Sequence, residues 1–371
     1  MKEKVVVLFG GESVEHDISI ITALQVLRNV PQNYDVLPVY IDKSGVWWVA
    51  DNLCDVKTYK NFEKLAKNRK RVTILLGENI LLIQKSGKYK FYAKIYSVLN
   101  CCHGRIGEDG CVSGIFKASN TAISSCDVVS SAVCMDKTVM KDILKANEIL
   151  SPEYVYFDID SYEKVSILKQ IRKKLGFPVV VKPANLGSSI GISVCKSEDE
   201  FENAVKLAFE FDKKILVEKF VNNLREFNCA CVHFRNQTFT SSVNEVFLED
   251  KIFTFDEKYL SKKQKTAHGC RFLTEKIKKL TEKIYNLFGC CGVVRVDFLF
   301  DSVEKKLYIN EVNTIPGSLA FYLFKEISFK DFVSCLIEQS KTNFEDNKKF
   351  VTNFPSDALN VFEAIGEISK K

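Results

Sequence analysis

The segment KVVVLFGG (residues 4–11) is a continuous β-branched and aromatic run that stops at a pair of glycines. A strand buried on both faces reads this way, and such strands belong to parallel sheets covered by helices. HDISIITALQVLRNV follows, with Ile18, Ile21, Leu24 and Leu27 at helical spacing, and then YDVLPVYID, a second strand. Strand, loop, helix and strand open a doubly wound α/β sheet. GVWWVA, RVTILLG and NILLIQ predict further short strands, and KIYSVLNCCHG a strand running into the polar loop HGRIGEDG. Ligands of such sheets bind outside the carboxyl ends of the strands. FGGESVEHD and CCHGRIGEDG both lie at such ends, so Glu15, His16 and His103 are expected in one crevice. A lone histidine is more often structural than functional; the polar loop around His103 narrows that preference.

The pattern changes near residue 127. SSAVCMDKTVMKDILKANEI predicts a helix, SPEYVYFDI a strand and 161–175 another helix. SEDEFENAVKLAFEF predicts an amphipathic helix with Ser197 as N-cap and Glu200 completing a capping box. After the strand KILVEKFV the chain is mostly strands from about residue 222. A charged, weakly apolar segment at 256–271 interrupts them and is expected to be a loop that covers the site as a lid. Helix LTEKIKKLTEKIYNLF, a hairpin over 293–314 and helix 328–341 follow. The expected division is an N-terminal α/β domain over 1–127, a central unit over 128–221, a C-terminal unit over 222–342 and a polar tail over 343–371. That tail is expected to pack weakly apart from Phe354, Leu359 and Phe362.

Composition excludes little but orders the alternatives. The net charge of +6 comes from lysines scattered along the chain, which suits an anionic small ligand better than nucleic acid. The 13 cysteines are odd in number and show no paired zinc spacing, so they read as small buried hydrophobes of a reduced, cytoplasmic protein. No apolar run approaches the roughly 18 residues of a membrane span, and the N-terminus lacks a signal-peptide pattern.

Two stretches carry chemistry. In VVVKPANLGSSIGISV (179–194) a strand ends on Lys182, a small-residue loop follows and a strand resumes. Ala184, Gly187, Ser188 and Gly191 allow backbone N–H groups to approach an anion, and Lys182 adds a point charge. The lysine precedes the glycines, so this is not a Walker A loop; a plain hairpin turn with an edge lysine is the alternative. In the hairpin 293–314, symmetry about residue 304 sets Asp297 against Glu311 and Arg295 against Asn313 on one face. Val294, Val296, Phe298 and Val312 take the other. Two acids and an amide make a hard-oxygen site suited to Mg²⁺, against the alternative of a solvated face with Arg–Asp pairing. NTIPGS adds a turn whose Gly317 N–H can face an oxyanion.

Taken in order, VVVLFGGESVEHDIS, CCHGRIGEDG, VCMDKTVMKDIL, VVVKPANLGSSIGI, ILVEKFV, DEKYL, VRVDFLFD and INEVNTIPGS resemble the D-alanine–D-alanine ligases of the ATP-grasp superfamily. The resemblance implies an N-terminal pre-ATP-grasp domain followed by a two-subdomain α+β ATP-grasp fold. ATP, two Mg²⁺ ions (with Mn²⁺ as an alternative) and two D-amino acids are the implied ligands. Lys137 and Lys182 match lysines on the nucleotide phosphates, with Ser189 in the same nucleotide loop. Glu218, Phe220 and Val221 match the adenine pocket and hinge, Glu226 the ribose contact and Lys258 the lid lysine. Asp297, Glu311 and Asn313 match metal ligands; Arg295 and Gly317 match the oxyanion stabilisers. Glu15 matches the residue that receives the first amino group, with Ser188 and Tyr259 linking it to the loop. Residues after the NT-x-PG turn, here Tyr322 and Leu323, match the second substrate's subsite, and His103 the substrate side of the crevice. The implied activity is ligation of two D-alanines for peptidoglycan precursors. The alternatives are D-serine or D-lactate as second substrate, another ATP-grasp carboxylate–amine ligase, or a nucleotide-binding protein without ligation. The expected partners are small molecules, with no nucleic acid, no membrane insertion and a homodimer as the assembly.

Overall fold

The computed structural model describes residues 2–235, 237–246, 264–266 and 271–368. Three sheets follow one another along the chain. The first has the spatial order β6-β5-β4-β3-β2-β1-β7-β8. Its strands are β1 (Glu3–Gly10), β2 (Tyr34–Ile41), β3 (Trp47–Val49), β4 (Lys70–Leu75), β5 (Ile80–Lys85), β6 (Lys88–Lys94), β7 (Ser97–Asn100) and β8 (Ala122–Ile123). Pairing is parallel across β2-β1-β7-β8 and antiparallel from β2 outwards to β6. Val5 to Phe9 are at most 1% exposed, which is why β1 reads as an unbroken apolar run. The edge strand β6 was not legible: its charged and aromatic side chains are exposed except Ala93.

Helix α1 (His16–Leu27) packs on β1. Its buried face holds Ser19, Ile20, Ala23 and Val26, while Ile21 is 45% exposed, against the sequence expectation. Each step of three residues turns a helix by about 300°, so a strict every-third row winds off the face that spacings of three and four maintain. A short helix α2 (Phe62–Leu65) and α3 (Cys111–Ala118) complete this region. The single helix expected over SSAVCMDKTVMKDILKANEI is two, α4 (Val128–Met135) and α5 (Lys137–Ala146). The break is Asp136, whose extended backbone and side chain cap α5 through Thr138 N at 2.9 Å and Val139 N at 3.3 Å.

The second sheet is antiparallel, in the order β11-β10-β12-β9. It comprises β9 (Tyr154–Asp158), β10 (Val179–Pro183), β11 (Ser193–Cys195) and β12 (Lys214–Lys219). Helices α6 (Lys164–Lys174) and α7 (Glu198–Phe209) share its core. The expected capping box of α7 does not form: Ser197 makes no side-chain cap, and Glu200 reaches past it to Lys196 N at 2.7 Å. The third sheet runs β16-β15-β13-β17-β18, with β14 beside β13. Its strands are β13 (Leu224–Phe234), β14 (Gln237–Thr240), β15 (Asn244–Val246), β16 (Gln264–Thr266), β17 (Val293–Asp301) and β18 (Lys306–Asn313). Helix α8 (Arg271–Leu287) lies on it together with buried residues of α4 and α5. Helix α9 (Phe329–Lys348) then returns to β7 and β8, where Ser340 Oγ meets Ser97 Oγ at 2.5 Å. The last helix, α10 (Ala358–Ile368), lies on the outside. Phe354, Leu359 and Phe362 are 85%, 83% and 77% exposed, so the packing expected of them is absent.

Candidate functional site

Strands β10 and β11 pair antiparallel, with Val179 opposite Cys195 and Val181 opposite Ser193. This is the hairpin read from the sequence. Its loop is held tightly: Ser188 and Ser189 adopt left-handed φ of 56° and 58°. Non-glycine residues rarely take this conformation, and it concentrates at functional sites. Gly187 packs against the Glu15 carboxylate; a Cβ there would stand 3.2 Å from both its oxygens. From the other side Gly104 approaches so closely that a Cβ would meet Glu15 Oε2 at 2.7 Å. Ser188 Oγ donates to Glu15 Oε1. The N-terminal crevice and the hairpin loop therefore meet at one buried carboxylate, 5% exposed.

Lys182, at the end of β10, is 4% exposed. Its Nζ lies 2.6 Å from Glu218 Oε2 on β12 and donates to Asn310 Oδ1 at 3.3 Å. The other Glu218 oxygen is 2.5 Å from Lys141 Nζ. Lys137, one turn earlier on α5, donates to the Leu186 carbonyl at 2.6 Å and stands 3.9 Å from Glu311 Oε2. Burial pushes the Glu218 carboxyl up, but Lys141 and then Lys182 more than offset it, so the group is held below its ordinary value. Burial, opposed by Glu218, pulls the Lys141 ammonium down to about 8. Lys141 and Lys182 share Glu218 while Lys137 stands by Glu311, so three ammonium groups face two carboxylates and leave an excess of positive charge, the condition for receiving a polyanion. Lys137, Lys182 and Glu218 border a pocket also lined by Ser189, Phe220, Val221, Glu226, Leu299 and Glu311.

Strands β17 and β18 pair with Arg295 opposite Asn313 and Asp297 opposite Glu311, the register expected from symmetry. Val294, Val296, Phe298 and Val312 are 0–5% exposed on the core side. Arg295 binds Asp297 through two N–H groups, Nε and Nη2, each at 2.7 Å, and Asn313 Nδ2 donates to Asp297 Oδ2 at 3.1 Å. Facing carboxylates call for a cation, and the guanidinium supplies one. Asp297, Glu311 and Asn313 present hard oxygen donors of the kind a divalent ion takes. Among the described residues there is no cluster of three or more His, Cys, Asp or Glu that could hold a metal ion. The buried Cys126 thiol is pushed well above its ordinary value, first by its hydrogen bond with Cys290 and then by burial. The same bond lowers Cys290, but a hydrogen bond with Cys134 and then burial more than offset it, so that thiol too is pushed well up, as expected of packing cysteines.

The turn after β18 holds the remaining residues. Gly317 opens it, and Ser318, Leu319 and Ala320 all have left-handed φ near 50°. Such residues cost about 1–2 kcal/mol each; burial of Leu319 and Ala320 and the bond from Ser318 N to Thr22 Oγ1 at 3.0 Å hold them. Thr22 Oγ1 also lies within hydrogen-bond distance of His103 Nε2, at 2.8 Å. Burial holds the His103 pKa down at about 4, which keeps the imidazole neutral near pH 7. Tyr322 OH lies 3.3 Å from Arg295 Nη1. Leu323, by contrast, is 2% exposed and lies in the core cluster with Val333 and Leu336. Glu108, from the HGRIGEDG loop, accepts from Gly104 N at 2.9 Å and Ile315 N at 3.0 Å, tying the two sides together. Burial and then the neighbouring Glu15 raise its pKa. Lys258 and Tyr259 lie outside the described residues, as does most of the expected lid over 256–271.

Sequence reasoning missed Lys141, Glu108, Thr22 and Asn310. Lys141 had a usable signal, since four residues after Lys137 on a helix places it on the same face.

The N- and C-terminal halves of the site both match a known family. The signature of the D-ala D-ala ligase N-terminus covers residues 4–126 and that of the D-ala D-ala ligase C-terminus residues 143–338. The chain belongs to the D-alanine–D-alanine ligase family. It is 38% identical to the D-alanine–D-alanine ligase of Thermosipho melanesiensis over 92% of this chain and 94% of that protein. Among solved structures, the VanG D-Ala:D-Ser ligase of Enterococcus faecalis is 29% identical, with a TM-score of 0.79 over 92% of this chain and all of that one. The D-alanine–D-alanine ligase of Coxiella burnetii, at 24% identity and a TM-score of 0.80 over 99% of both chains, shares the fold. Among the described residues no helix is long and apolar enough to cross a membrane.

Proposed function

We propose that the chain joins two D-alanines at the expense of ATP, yielding the dipeptide used in peptidoglycan precursors. The observation that carries this is continuity: the lysine-rich pocket at Lys137 and Lys182 adjoins both the Asp297–Glu311–Asn313 face and the loop closed on Glu15. A nucleotide phosphate and an amino acid can therefore meet there. Lys137, Lys182 and Ser189 receive the phosphates, Glu218, Phe220 and Val221 the adenine, and Glu226 the ribose. Glu15 receives the first ammonium and Ser188 fixes the carboxylate that does so. A divalent ion, Mg²⁺ or Mn²⁺, held by Asp297, Glu311 and Asn313 would supply charge neutralisation for the phosphates, and the family implies two such ions.

A carboxylate is a poor electrophile. Transfer of the γ-phosphoryl to the first D-alanine's carboxylate oxygen gives ADP and an acyl phosphate. The second amine, having lost a proton, attacks that carbonyl; the C–N bond forms, the C–O bond to phosphate breaks and phosphate leaves. Arg295 and the Gly317 N–H stabilise the oxyanion between these events. Exclusion of water protects the acyl phosphate, and the lid proposed over 256–271, with Lys258 and Tyr259, would serve this.

Asp297→Asn and Glu311→Gln test the metal face. Each should abolish dipeptide formation with the circular dichroism spectrum retained; near-parental activity at saturating ATP and Mg²⁺ would sink the assignment. The likeness to a D-Ala:D-Ser ligase, together with a tyrosine hydroxyl beside Arg295, keeps D-serine as the second reading. Competition among equimolar D-alanine, D-serine and D-lactate decides it, with D-Ala–D-Ala expected as the main product. Tyr322→Phe should raise the KM for the second amino acid.

A further inference from the structure

Lys141 takes no part in the contacts proposed above. It is 0% exposed, more deeply buried than Lys137 or Lys182, and lies behind the pocket wall rather than in it. Its Nζ is 2.5 Å from one Glu218 oxygen, and Lys182 Nζ is 2.6 Å from the other. One buried carboxylate thus holds two ammonium groups. Of the two, only Lys182 borders the pocket. Lys182 Nζ is shared between Glu218 and Asn310, so Glu218 competes with a phosphate for it, and the lysine turns fully to the phosphate only when Glu218 releases it. A buried carboxylate left without a counter-ion is strongly disfavoured, so release needs a second cation that stays behind.

We propose that Lys141 is a positioning residue that neutralises Glu218 from behind, and so frees Lys182 for the polyphosphate of the nucleotide. This rests on the reading of Lys182 as a phosphate contact. Without Lys141, Glu218 clasps Lys182 and the pocket loses affinity for phosphates while keeping its affinity for the nucleoside. A lysine that merely props the wall would affect both alike.

Calorimetry with β,γ-imido-ATP plus Mg²⁺, and separately with adenosine, tests this on the full chain. Lys141→Met should weaken the triphosphate about tenfold relative to adenosine, a coupling ordinary for groups in one charge network. Adding Glu218→Gln should bring that ratio back to that of Glu218→Gln alone, because the amide does not hold Lys182 by charge. If Lys141→Met does not fold, Lys141→Gln, a donor without charge, gives the same comparison. An unchanged ratio, equal loss of both ligands, or no recovery in the double variant overturns the proposal. Lys182→Ala separates the underlying reading: if that variant leaves the ratio at the parental value, Lys182 is not a phosphate contact, whatever Lys141 does.

Discussion

His103 shows how a residue's neighbours fix its protonation state. Thr22 accepts from Ser318 N and lies 2.8 Å from His103 Nε2, and burial of the ring disfavours the imidazolium. Its pKa therefore falls from 6.5 to about 4 on folding, with burial the main cause and Arg295 a facing positive charge. Between those values the unfolded chain binds more protons than the folded one, so stability rises with pH and is lost as pH falls through the window. The shift corresponds to about 3 kcal/mol at most. In thermal melts between pH 7 and 4.5, the parent should lose stability more steeply than His103→Gln; parallel curves would remove His103 as the origin. The sequence placed His103 in the crevice because its polar loop closes a strand. It could not show the surroundings of the ring, because Thr22 and Ser318 are 296 residues apart and only the fold joins them.

At the scale of elements, local pattern predicted strands well where burial is two-sided or strictly alternating, as in β1 and β17. It failed where the decisive contact is a backbone group choosing between acceptors. Asp136 and Ser197 make the contrast. Both precede helices and both are good N-cap types, yet Asp136 satisfies Thr138 N and Val139 N and also pairs with Lys214 at 2.8 Å. Ser197 caps nothing with its side chain. Asp136→Ala should cost about 1–2 kcal/mol in urea unfolding, the ordinary range for a lost cap. Ser197→Ala should stay within about 0.5 kcal/mol, as for an uninvolved surface change. Equal losses would show that Asp136 does not separate α4 from α5 energetically. Glu200 explains the miss: in sequence its three-residue offset fits a capping box, but its longer reach finds Lys196 N instead.

Across the whole molecule, the sequence presented its parts in a row, whereas the structure closes them on themselves. One core cluster joins Val5, Val7 and Phe9 of the first strand to Phe332, Val333, Leu336 and Ile337 of α9, more than 320 residues later. Helical periodicity gave α9 an apolar face but could not say which sheet that face covers. It covers the first, and the helix runs on past the boundary expected at 342, while α10 beyond it exposes its described side chains. The two halves of the C-terminal region should therefore behave oppositely. Leu336 is 1% exposed within the shared core, so Leu336→Ala removes packing from both ends of the chain at once. A loss of about 2–5 kcal/mol is expected, as for a leucine truncated in a core that cannot collapse. The site should feel it too, because the same cluster includes Ile315, Leu319 and Ala320 of the turn that carries Gly317. Deleting residues 351–371, whose described large apolar side chains face water, should leave both the unfolding midpoint and the rate of phosphate release near those of the full chain. The measurement is one urea titration and one steady-state assay on each variant. A deletion as damaging as Leu336→Ala would mean that the tail helps hold the core together, and that α9 alone does not close it.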